Sequence, residues 1–89
     1  MATLFGEEMK NKYQIGDIFV FKSKDFNSRN ISTIVGYGYK AHMKCFAYDV
    51  QQHFINHDGF SKISNFETEE LSLSIMINRD GYTHYPVKE

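Results

Sequence analysis

From Tyr13 onward the chain alternates between short runs of apolar residues and clusters of turn formers. Tyr13–Lys22 is rich in β-branched and aromatic residues, the composition of a strand. Its second half is apolar on both faces, with Ile18 and Val20 pointing one way and Phe19 and Phe21 the other. Such a strand is either sandwiched or offers an aromatic face to a partner. Residues 23–30 form a polar loop with Phe26 inside it, and residues 31–38 predict a second strand whose Gly36 and Gly38 mark a bend or bulge. Residues 44–51 predict a third strand with Phe46, Tyr48 and Val50 on one face, followed by a turn over 52–59 that closes on Asp58-Gly59. Residues 60–66 predict a short fourth strand, and 66–71 one helical turn.

The strictest pattern comes last. Leu71-Ser-Leu-Ser-Ile-Met-Ile77 alternates apolar and polar residues, so as a strand it places Leu71, Leu73, Ile75 and Ile77 on one face. Residues 82–87 then answer it across a three-residue loop, Arg79-Asp80-Gly81. That register pairs Ile75 with Tyr85 and Leu73 with Val87, with Gly81 in a left-handed slot. Tyr82 and His84 point outward. The expected core is Ile15, Val20, Ile34, Phe46, Tyr48, Val50, Leu73, Ile75, Tyr85 and Val87.

Five or six short strands without a long helix predict a mostly β fold, a small antiparallel barrel or strongly curved sheet with a C-terminal β-hairpin. With 89 residues, a single small domain over 1–89 is expected, with 1–12 as an N-terminal extension in which Thr3 caps one short helical turn.

The order of motifs resembles the small SH3-like barrel proteins of phages and prophages. A Gly16-Asp17 strand opening is followed by Thr33-Ile-Val-Gly36, an aromatic Phe46-Ala-Tyr48 strand, an Asp-Gly turn and the acidic Glu69-Glu70-Leu71 segment. The resemblance spans roughly residues 13–71. It implies a binding module that interferes with host machinery, and it carries over no catalytic residue.

Charge narrows the partner class. The net charge is −1, without the basic excess of a dedicated nucleic-acid binder. Locally, residues 10–44 hold seven basic side chains against Asp17 and Asp25, whereas 58–89 hold six acidic against three basic. Cys45 is the only cysteine, so no intramolecular disulfide forms. No apolar run is long enough for a bilayer, and the first residues lack the pattern of a signal peptide, so a cytoplasmic protein is expected, in the host cytoplasm if phage-encoded.

No nucleophile motif, phosphate loop or Walker pattern is present, and no enzymatic activity, cofactor or metal is expected. His42, Cys45, His53 and His57 are zinc-type ligands, but a strand between Cys45 and His53 holds the two pairs apart. The expected function is a non-enzymatic binding protein that inhibits or redirects a host protein by direct contact. Phe26, Arg29, Tyr37, Tyr39, Lys40 and His42 are the candidate binding residues, because aromatic and Arg side chains anchor interfaces. Two alternatives remain open. A nucleic-acid module would stack bases on the same tyrosines within the basic 10–44 stretch. A small-molecule or nucleotide-sequestering protein would call for a homodimer, because one small barrel encloses little volume.

Overall fold

A computed structural model describes residues 12–24 and 27–87. Four strands form an antiparallel meander: β1 (Ile18–Ser23), β2 (Ser28–Lys40), β3 (Cys45–Ile55) and β4 (Ser61–Thr68). Helix α1 (Glu70–Asp80) then returns the chain from one edge of the sheet to the other. There β5 (Thr83–Tyr85) pairs antiparallel with β1, and the final strand order is β4-β3-β2-β1-β5. The sheet is open, with β4 and β5 as its edges. The fold is therefore mostly β and antiparallel, of the curved-sheet kind rather than a closed barrel. No helix among the described residues is long and apolar enough to cross a membrane.

Cross-strand register places side chains in rows, because directly paired residues share a face. Phe19, Ser32 and Gln52 form one row of the inner face, and Ile34, Val50 and Phe66 the next. A bulge between Ile34 and Gly36 bends the sheet beyond them, as the glycines of this segment predicted. Phe19, Ile34, Tyr48, Val50 and Ser32 are fully buried, and α1 sets Leu73 and Ile77 onto them. Tyr13, just before β1, completes the cluster, its ring edge-on to Phe19 at 5.3 Å and to Tyr48 at 5.7 Å. The Tyr48 hydroxyl accepts from the Tyr13 N–H and donates to Glu70 Oε1 at 2.7 Å. The Lys12 N–H donates to the same Glu70 oxygen, so the first turn of α1 is tied to both the sheet and the approach to β1.

The C-terminal hairpin expected from the alternation at 71–77 does not form. Leu73 and Ile77 are four residues apart, so one face of a helix buries both while Leu71 and Ile75 face outward. Gly81 is left-handed (φ 77°), as the sequence required, but it ends a helix rather than filling a bulge. Its N–H and that of Tyr82 both donate to the Ile77 carbonyl. Glu70 in the first turn and Arg79 in the last agree with the helix dipole. The wider reason is packing: the inner face of the meander needs a cover, and the helix supplies one.

Other expectations shift with this. Ile15, Phe46, Ile75, Tyr85 and Val87, assigned to the core, are exposed. Val20 is only partly buried, in an outer-face row with Ile31, His53 and Ile63. His84 pairs with Phe19 and turns inward, stacked on that ring at 4.5 Å, and Tyr82 packs against the core instead of pointing out. The turn at 52–59 shrinks to the residues after Ile55, where Gly59 takes φ 86° and the Asn56 side chain accepts the Asp58 and Phe60 N–H groups. Phe66–Thr68 belong to β4, not to a helical turn. The expected turn at residues 1–12 lies almost wholly outside the described residues.

Candidate functional site

The predicted binding residues do not form one surface. Phe26 lies outside the described residues. Arg29 stands at the start of β2, Tyr37, Tyr39 and Lys40 at its end, and His42 in the turn that follows. Ten residues of strand separate Arg29 from Tyr39, about 33 Å at about 3.3 Å per residue. Arg29 and the group of Tyr37, Tyr39, Lys40 and His42 therefore lie at opposite ends of the longest strand. Tyr37, Tyr39 and Lys40 are also strand residues rather than loop residues, with the turn confined to 41–44.

At the 41–44 end the sheet carries an aromatic ladder. Tyr37 pairs with Tyr48 and Tyr39 with Phe46 across β2 and β3. Tyr37 lies 4.6 Å from Tyr48 and 5.8 Å from Phe46, and Tyr39 meets Phe46 edge-on at 5.5 Å. Burial falls along this ladder: Tyr48 is buried, Tyr37 partly so, and Phe46 and Tyr39 are 47% and 58% exposed. The core thus continues into an accessible aromatic surface, anchored at its inner end.

On the opposite face of the same end of the sheet the charges are mutually satisfied. Asp49 and Glu67 sit opposite each other on β3 and β4, and Lys40 bridges them, with its ammonium 2.9 Å from Asp49 and 3.5 Å from Glu67. The Asp49 hydrogen bond holds the Lys40 ammonium above its usual pKa, against the opposing effect of desolvation. His42 Nε2 lies 2.6 Å from Glu67 Oε1. Gly36 faces Asp49 and makes room for it: a Cβ there would lie 2.5 Å from Asp49 Oδ2. Partial burial, together with Glu69 as a hydrogen-bond acceptor, pushes the Cys45 thiol up.

The histidines and the cysteine are dispersed. His42 is in the 41–44 turn, Cys45 and His53 are eight residues apart on β3, and His57 lies in the opposite turn beside Asp58. Among the described residues no group of three or more His, Cys, Asp and Glu side chains is placed to hold a metal ion.

A third feature sits beneath β5. Asp17 is buried and accepts from the Gln14 N–H, the Val87 N–H at 3.0 Å and His84 Nε2 at 2.9 Å. Burial alone would raise its pKa, but the hydrogen bonds from Val87, His84 and Gln14 outweigh it and hold the carboxyl below its usual range. The Asp17–His84 pair ties the C-terminal strand to the start of β1.

Opposite the ladder, past the end of α1, a groove of about 890 Å³ opens between Phe21 and Phe54, with Asn30, Arg29, Asn56 and His57 along it. Of these residues the sequence placed only Arg29 among the candidate binding residues, although Phe21 belonged to a strand that could offer an aromatic face and His57 was a zinc-type ligand; at the other end Phe46 was assigned to the core, and Asp49 and Glu67 were not singled out as site residues. Their partners lie on other strands, and nothing in local spacing announces the register that joins them. No protein-family model, curated protein or solved structure matches the chain.

Proposed function

We propose that the chain is a non-enzymatic binding protein that inhibits or redirects another protein by direct contact, using the Tyr37–Tyr39–Phe46 surface. The observation that carries this reading is the half-exposed Phe46–Tyr39 pair, backed by the buried Tyr48. Rigid aromatic side chains anchored in a core lose little conformational freedom on binding, and such residues are the usual hot spots of protein interfaces. The charges at this end of the sheet favour a protein partner over a nucleic acid. Lys40 and His42 are already matched by Asp49 and Glu67, so they are poor counterions for a phosphate backbone. A host protein bound by a phage-encoded inhibitor fits the SH3-like resemblance, and host cytoplasm is where the two would meet.

The test is affinity capture from bacterial lysate with the wild type and with the double variant Tyr39→Ser, Phe46→Ser. Both residues are half exposed, so the variant should melt within a few degrees of wild type. The expected result is a stoichiometric protein partner retained by the wild type and lost by the folded variant. Equal recovery of the partner by both, or recovery of nucleic acid that elutes with salt and is lost by the Tyr39→Ser, Phe46→Ser variant, overturns the reading.

A further inference from the structure

Helix α1 stops at Asp80 and leaves part of the inner face uncovered. Beyond the Phe19–Ser32–Gln52 row, of which Phe19 and Ser32 are buried, the next row runs Phe21, Asn30, Phe54 and Lys62 across four consecutive strands. Phe21, Asn30 and Phe54 of this row line the groove. Its two phenylalanines stand on β1 and β3 with the Asn30 amide on the strand between them. Neighbouring strands lie about 4.8 Å apart, so a flat ring entering above Asn30 would sit about 4.8 Å from each Phe, inside the 4.5–7 Å range of aromatic pairs. At that backbone spacing, β1 and β3 leave room for one ring between the two phenylalanines. Tyr82 backs Phe21 from 5.5 Å, and its hydroxyl lies beside Asn30 and Ser32. Ser32 in turn accepts from Gln52.

Two features select the ligand. An Asn amide offers a donor and an acceptor side by side, the complement of a nucleobase edge. Positive charge lies nearby: Arg29, whose row with Lys22 and Ile55 faces the other side of the sheet, lines the groove at the end of β2, and Lys62 follows Phe54 in the row beyond the lining residues; neither has an ion-pair partner among the described residues. This contrasts with Lys40 at the other end, which is fully matched. A flat heteroaromatic ring joined to an anion satisfies both features, and the groove volume lies within the ordinary range for small-molecule sites.

We propose that this groove binds a nucleotide, with its base between Phe21 and Phe54, its base edge on Asn30, and its phosphate at Arg29 and Lys62. The site is separate from the aromatic ladder and does not depend on the protein-contact reading.

The full chain is titrated calorimetrically with the four ribonucleoside monophosphates, the matching nucleosides and a short single-stranded oligonucleotide. At least one monophosphate should bind saturably, at one site, more tightly than about 1 mM. Phe54→Leu, which keeps an apolar side chain but removes the ring, should weaken it about tenfold. Asn30→Leu should change the rank order of the four bases. Arg29→Gln combined with Lys62→Gln should weaken the nucleotide and leave the nucleoside unchanged. Tyr39→Ser, Phe46→Ser should bind nucleotide as the wild type does, which separates failure here from failure of the protein-contact reading. Tighter binding of the oligonucleotide, lost in Phe54→Leu, supports the base slot and assigns its source to a strand. Oligonucleotide binding indifferent to Phe54 and Asn30, or no monophosphate binding below about 1 mM, overturns the proposal.

Discussion

Replacing Leu73 and Ile75 separately by Ala tests the fold where strand and helix periodicity disagree most. A strand over 71–77 buries both residues on one face, so the two substitutions would cost about the same. The helix buries Leu73 completely and leaves Ile75 51% exposed. Each substitution removes three carbons, about 0.8 kcal/mol apiece if fully buried. For Leu73 the transfer loss is complete, and a cavity beside Phe19, Ile34 and Val50 adds to it, so a cost of about 2–5 kcal/mol is expected. For Ile75 only about half of the transfer loss applies, and Ala regains several tenths of a kcal/mol of helix propensity, leaving about 1 kcal/mol or less. A domain of this length has roughly 4–13 kcal/mol of stability, so Leu73→Ala removes a large share of it. Urea unfolding followed by far-UV circular dichroism measures both values, and an unchanged m-value confirms that the states compared are the same. A cost for Ile75→Ala equal to or greater than that for Leu73→Ala would refute the helix and restore the hairpin.

Asp17→Asn should destabilise the protein by about 1–3 kcal/mol, because it weakens the charge-assisted bond from His84 and disturbs the pairing with Val87. Asp17 is held below its ordinary pKa, so its contribution is complete above about pH 4 and is lost as pH falls through the lower folded-state value. The gap in urea midpoint between wild type and variant should therefore narrow in acid, and a gap constant from neutral pH down to strong acid would contradict the assignment. Gly36→Ala should cost about 1 kcal/mol, as crowding of Asp49 and loosening of its contact with Lys40 exceed the gain from a stiffer backbone, and thermal melts of G36A and the double variant G36A/D49A should show the penalty largely relieved in the second. Cys45 should alkylate with iodoacetamide more slowly than a free thiol at mildly alkaline pH, since burial and Glu69 disfavour the thiolate, and mass spectrometry that found it reacting as fast as glutathione would show otherwise.

Several elements could be read from residue order alone because their causes are local. The strand composition of 18–21, the bend at Gly36 and the turn at Asp58-Gly59 rest on side-chain shape and backbone freedom, which operate over a few residues. The burial of Ile34, Tyr48, Val50 and Leu73 was legible in the same way, from apolar positions at strand period or from a residue buried under either periodicity. Gly81 also revealed its left-handed backbone, but not which element it would end.

What lay beyond the sequence was decided by contacts between distant residues. The segment 71–77 fits both a strand and a helix locally, and only the exposed inner face of the four-stranded meander, waiting for Leu73 and Ile77, separates the two. His84 looked like an outward residue until β5 paired with β1 and set it between Phe19 and Asp17. The candidate sites follow the same rule. Tyr37 and Tyr39 stood out by composition, yet Phe46 beside them, and Asp49 and Glu67 on the opposite face, are set by the β2–β3–β4 register. Arg29 joined Phe21, Asn30 and Phe54 instead of the tyrosines, because a strand of 13 residues holds its two ends apart whatever their chemistry.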